Sequence, residues 1–143
     1  MKLGFFTACL PGVPLADVAS WAAATGYEAL EVACWPVSPD RPFTASHLDV
    51  TWDADRLAEA AAVVTDQGLT ISSLAFYGNN LDPDPDERAA TGAHVERCLE
   101  AAAALGVPTV GTFVGRDWRR PVRENLAEAE EIFKPLVDRA GEL

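Results

Sequence analysis

Four short stretches carry the residue types that could do chemistry. Glu31 sits in the run Glu28 to Cys34, where apolar residues alternate with it. A carboxylate on the inward face of a strand can accept hydrogen bonds from a ligand, or pair with a polar group on a neighbouring strand. His47 lies in a long segment from Trp35 to Thr51; segments of this length between elements often serve function, though a loop histidine can also be simply solvated. Asn79 and Asn80 belong to Tyr77-Gly-Asn-Asn-Leu-Asp-Pro-Asp-Pro. Amides both donate and accept, which suits sugar hydroxyls, and Asn beside Gly also favours tight turns. Gly115-Arg116-Asp117 closes the run Thr109 to Val114 and places a cation and an anion in one loop.

These stretches share a context. Each follows a short apolar run that follows a helix-ending glycine: Gly26, Gly68 and Gly106, with Gly141 at the last helix. The glycines recur at intervals of about 40 residues, the length of a strand–helix unit and too long for a hairpin. Strands are expected at Leu3 to Phe6, Glu28 to Cys34, Leu69 to Phe76 and Thr109 to Val114. Helices are expected from Pro14, from an Asp53 cap, over Asp86 to Leu105, and over Val122 to Ala140, where Pro135 should kink or split the helix. Core faces read as Leu15, Val18 and Ala22; Leu57, Ala60, Ala61 and Val64; Val95, Cys98, Leu99 and Ala102; and Leu126, Ala129, Phe133, Leu136 and Val137. His94 falls beside the third of these faces, away from any strand end, as surface or packing. The fold class is α/β, a single domain over 1–143 made of four βα units of the parallel (β/α) barrel type. An open flavodoxin-like sheet is the alternative, to be separated by strand order.

Composition removes other classes. The 143 residues, 49% hydrophobic, suffice for one core. A formal charge of −11 opposes nucleic acid and anionic membranes, and the one basic cluster, Arg116, Arg119, Arg120 and Arg123, suits at most a single phosphate. Cys9, Cys34 and Cys98 form no disulfide framework or zinc pattern, which points to a reduced, cytoplasmic setting. Pro11, Gly12 and Pro14 interrupt the apolar start too early for a leader, and no run is long enough for a membrane span. Gly12 stands alone where a dinucleotide site needs three glycines.

SLAFYGNNLDPDPDER and LGVPTVGTFVGRD, followed by ENL and EEIFKPL, resemble the sugar phosphate isomerase/epimerase group of the xylose isomerase-like TIM-barrel superfamily, along the whole chain. The resemblance implies an eight-stranded barrel of roughly twice this length, with its site at the carboxyl ends of the strands. It implies a small-molecule sugar or polyol substrate and proton transfer next to a carbonyl. The group's divalent metal, Mn, Mg or Zn, is held by carboxylates and a histidine of strands five to eight. This chain resembles only the N-terminal half, so no metal ligand and no catalytic base is expected in it. On the same pattern Trp35, Tyr77, Asn79, Asn80, Arg116 and Asp117 match the mouth, with Glu31 inward, as substrate-binding positions. A non-catalytic half-barrel assembly module and an apurinic-site endonuclease relative are the competing functions. Two open strand edges, and inward faces carrying Ala29, Glu31, Ala33 and Gly111, point to a homo-oligomer or to pairing with a second half.

Overall fold

A computed structural model describes residues 1–38 and 45–143; the middle of the expected Trp35 to Thr51 loop, 39–44, lies outside the described residues. Strand β1 (Gly4–Phe6) passes through a 3₁₀ turn (Thr7–Cys9) to α1 (Leu15–Ala24). Next come β2 (Ala29–Ala33), α2 (Ala54–Thr65), β3 (Thr70–Asn79), α3 (Pro85–Leu105), β4 (Val110–Phe113) and α4 (Val122–Glu142). The four strands are parallel in the order β1-β2-β3-β4. That order excludes the flavodoxin-like alternative, which needs β1 inside the sheet.

The local signals act as their chemistry requires. Gly26, Gly68 and Gly106 take φ of 89°, 76° and 65°, the left-handed conformation that ends a helix and turns the chain into the next strand. Asp53 caps α2 by accepting from the Arg56 amide at 2.9 Å, and Asp84 caps α3 through the Asp86 amide. The core lies between the helices and one face of the sheet: Leu30, Val32, Leu74 and Phe76 pack against Val18, Ala22, Leu57, Val64, Val95 and Cys98.

Several expectations change. Strand β3 runs past Phe76 to Asn79, because two extra residues on β3 are absorbed between the Ala75↔Gly111 and Asn79↔Phe113 pairs. A Cβ on Gly78 would fall 2.6 Å from the Phe76 ring, so only glycine fits that irregular stretch. Gly141 lies inside α4 rather than ending it. Pro135 does not split α4. Proline costs the carbonyl of Glu131 its partner, but both residues are exposed and water can replace the lost donor. On α4, Leu126 and Val137 keep the helical phase yet are 63% and 65% exposed, since no element among the described residues covers that side. On the inward face Ala29 and Ala33 are buried, not open, and Thr7 closes over Ala33 by accepting from its amide at 2.9 Å. Among the described residues no helix is long and apolar enough to cross a membrane.

Candidate functional site

The inward face of the sheet brings Phe6 of β1, Glu31 of β2, Tyr77 of β3, and Gly111 and Phe113 of β4 side by side. Tyr77 Oη donates to Glu31 Oε1 at 2.5 Å across neighbouring strands. This is the cross-strand partner for which Glu31's position allowed. Gly111 makes room for it: a Cβ there would lie 2.7 Å from Tyr77 Oη and 3.0 Å from Glu31 Oε1. Burial, reinforced by the hydrogen bond and the charge of Glu31, pushes the Tyr77 phenol up to about 12. Tyr77 therefore stays a hydrogen-bond donor across the neutral range.

Aromatic rings surround the pair. Phe6 meets Tyr77 edge-on at 5.2 Å, Phe113 lies 4.5 Å from the Tyr77 ring, and Trp35 lies 5.7 Å from Phe6 and 6.1 Å from Tyr77. The result is an apolar wall around one polar pair, the composition of a small-molecule site. Phe6 and Phe113 escaped the sequence reading. The two-residue strand period from Gly111 would have found Phe113.

The remaining candidates form the rim, and their polar groups are largely turned to the protein. Asn79 staples two loops: Oδ1 accepts from the amides of Arg116 at 2.8 Å and Leu81 at 3.2 Å, while Nδ2 donates to the Arg116 carbonyl and to Asp82. Gly115, at φ 77°, is required there, because a Cβ would sit 1.9 Å from Asn79 Oδ1. Asn80 is 1% exposed and donates to Thr112 Oγ1 and the Phe113 carbonyl; its Oδ1 has no partner among the described residues. Asp117 is buried and holds the Arg119 guanidinium through both oxygens at 2.9 Å, a pairing that keeps its carboxyl below the usual range. Asn125, which the sequence reading missed, accepts from the Asp117 amide and donates to the carbonyls of Asp117, Arg120 and Pro121. It supplies the fastening at the start of α4 that the Pro121 cap residue lacks. The Arg116 backbone is fixed by Asn79, whereas the residue itself is exposed in the loop after β4.

His47 belongs to the opposite rim. Its Nδ1 lies 2.9 Å from Thr7 Oγ1 and its Nε2 3.0 Å from the Val13 carbonyl. A carbonyl can only accept, so Nε2 donates to it, and in that tautomer of the neutral ring Nδ1 accepts from the Thr7 hydroxyl. That hydroxyl in turn accepts from Ala33, and His47 thereby ties the loop after β2 to the start of α1. His94 is a packing residue, as one of its two expected roles had it, but it does reach a strand end. It is buried, stacks edge-on against Phe76 at 4.5 Å, and donates from Nε2 to the Cys34 carbonyl at 2.6 Å, immediately beyond β2. The helical count placed it beside the core face, but not the crossing of α3 over the sheet that carries it to a strand end. Burial lowers its pKa below 6.5.

Among the described residues no three side chains of His, Cys, Asp and Glu converge as metal ligands. The described residues therefore do not fit the divalent metal of the group this sequence resembles.

A parallel sheet in sequential order, helices on one face and an apolar wall with a polar pair on the other, is half of a (β/α) barrel. The chain belongs to the xylose isomerase-like TIM-barrel family, whose model matches residues 19–143. Among solved structures it is similar to a putative xylose isomerase from Rhodospirillum rubrum, at 22% identity and a TM-score of 0.73, covering 99% of this chain and 51% of that one. A D-psicose 3-epimerase from Clostridium cellulolyticum, solved with D-tagatose, matches at 19% identity and TM-score 0.70, covering 99% of this chain and 49% of that one. A probable 3-DHS dehydratase from Bacillus anthracis matches at 14% identity and TM-score 0.64, covering 97% and 49%. The chain thus spans about half the length of these structures, and at these identities the likeness concerns the fold. No curated protein matches the sequence.

Proposed function

We propose that this chain forms the substrate-facing first half of a sugar or polyol isomerase or epimerase, whose reaction is proton transfer next to a carbonyl. The observation that carries the reading is the Glu31–Tyr77 pair on the inward wall, ringed by Phe6, Trp35 and Phe113. A polyhydroxylated ligand offers hydroxyls that donate to Glu31 and accept from Tyr77, and C–H faces that pack on aromatic rings. Family membership and the likeness to an isomerase and an epimerase support the substrate class. Asn79, Asn80, Asp117 and His47 then act as positioning residues that hold the two rims, while Arg116, exposed in the loop after β4, is the group a phosphorylated sugar would meet. In the completed barrel, a divalent metal held by the other half would polarise the carbonyl and a carboxylate there would take the proton. This chain's own share is binding and orientation.

The test is to titrate the chain with ketohexoses, their phosphates and cyclic polyols, following amide and indole signals by nuclear magnetic resonance. Saturable shifts at Glu31, Tyr77 and Trp35 are expected, weakened by Glu31→Gln. A stronger response to phosphorylated sugars that Arg116→Ala abolishes would assign the phosphate to that side chain. Shifts confined to other surfaces would refute the reading.

A further inference from the structure

We infer that His94 is the positioning residue for Trp35, holding that ring against the inward wall while its own imidazole is neutral and releasing it when the imidazole gains a proton. Two connections lead from one side chain to the other. The first runs through the backbone: His94 Nε2 donates at 2.6 Å to the carbonyl of Cys34, the residue before Trp35. On the same stretch the Cys34 amide donates to the Ala75 carbonyl at 2.9 Å, and the Trp35 amide to the Ala45 carbonyl at 3.2 Å. The bond from His94 thus joins the set that fixes the peptide from which the indole projects.

The second connection runs through rings. His94 meets Phe76 edge-on at 4.5 Å, and Phe76 meets Trp35 edge-on at 5.8 Å. Phe76 is closely seated, since the place of a Cβ on Gly78 lies 2.6 Å from its ring and 2.9 Å from Thr91 Cγ2, between β3 and α3. Phe76 and Tyr77 are consecutive on the irregular end of β3, one in the core and the other on the inward face, and Trp35 packs on both. Trp35 therefore spans the two faces at the strand ends, with His94 behind it and the Glu31–Tyr77 pair before it.

A proton on His94 works against this seat. The residue is 5% exposed, and a charged imidazole would carry a second N–H donor beside the Phe76 ring. Of the groups facing it, Asp49 in the loop after β2 favours the charge and Arg97 on α3 opposes it, while burial pushes the thiols of Cys34 and Cys98 up and keeps them neutral. Burial outweighs Asp49 and the Cys34 carbonyl, so the proton is best held by a ring that has moved toward water. Phe76 and the Cys34 carbonyl then lose their support, and Trp35 loses its backing.

The role in binding rests on the proposed sugar-facing wall, but the coupling is read in the ligand-free chain, so a failed sugar titration and a failed coupling are separate results. The four tryptophan indole N–H signals are followed by nuclear magnetic resonance from pH 7.5 to pH 5.0 beside the ring protons of His94, Trp35 being the signal that Trp35→Phe deletes. The Trp35 signal should move with the midpoint of His94, below pH 6.5, while those of Trp21, Trp52 and Trp118 do not follow that midpoint. His94→Gln keeps an N–H donor for the Cys34 carbonyl and cannot titrate, so its Trp35 signal should stay near the parent's pH 7.5 position throughout. His94→Leu lacks both donor and ring and should displace the signal already at pH 7.5; where circular dichroism shows that variant unfolded, the parent and His94→Gln titrations decide. A Trp35 signal that stays in place while His94 ionises, or a His94 that gains no proton down to pH 5.0, would overturn the inference. So would a signal that moves as far in His94→Gln, since His47 or Asp49 in the loop after β2 would then be the group responsible.

Discussion

Replacing Gly111 with alanine perturbs the inward wall by one methyl group. The new Cβ would lie 2.7 Å from Tyr77 Oη, 3.0 Å from Glu31 Oε1 and 3.2 Å from Tyr77 Cζ, and the first of these is closer than real Cβ contacts come. The two side chains hold each other at 2.5 Å, so neither can yield without stretching the hydrogen bond or carrying its partner along. Overpacking of this kind costs roughly 1–3 kcal/mol. Loss of glycine's freedom in the unfolded chain returns about 0.4–1 kcal/mol. Since Tyr77 is only half-buried and its hydroxyl is the free end of a side chain, the net expectation is a destabilisation of about 1 kcal/mol. Urea denaturation measures it as a lower midpoint at unchanged slope. The decisive control is Gly111→Ala in a Tyr77→Phe background. Removing the hydroxyl abolishes the 2.7 Å contact, so the glycine substitution should become nearly neutral. Effects that add to within about 0.3 kcal/mol, or a Gly111→Ala chain more stable than the parent, would refute the packing of Gly111 against the pair.

Two further predictions concern titration. The Tyr77 phenol is raised, so folding favours its neutral form; the stability it contributes is complete below pH 10 and is lost as pH rises from there through about 12. Spectrophotometric titration should show one phenol ionising late, and Tyr77→Phe should delete that step. For His94 the shift is downward, and the neutral ring is again the folded form. Its contribution is complete above pH 6.5 and is lost as pH falls from there toward the lower folded value, with Asp49 and Arg97 as the charges acting on it. His94→Leu should remove that acid sensitivity while costing about 1–3 kcal/mol at neutral pH, because the buried Cys34 carbonyl loses its donor; denaturation midpoints at pH 7.5 and pH 5.5 check both parts.

The architecture was legible because its signals are local. Three helix-ending glycines, the Asp53 cap and the period of each apolar run act within a few residues, and they set four strand–helix units in the right order. The site was legible only where strand alternation reaches. Alternation turns Glu31 inward, but its partner is 46 residues away and depends on the irregular register that extends β3 to Tyr77 and Asn79. His94 illustrates the same limit, since the crossing of α3 over the sheet decides which carbonyl it meets. Asn125 reads as an ordinary polar position on α4; only the path of the preceding turn gives it three carbonyls and an amide to fasten.

The inward wall as a sugar-binding surface is tested most directly by the resonance titration with ketohexoses and polyols, carried out on the parent chain and on Glu31→Gln in parallel. The expected result is saturable, sugar-dependent shifts centred on Glu31, Tyr77 and the Trp35 indole that weaken in Glu31→Gln with the fold intact. Unmoved signals at all three residues while the same sugars shift another surface, or equal binding by Glu31→Gln, would contradict it.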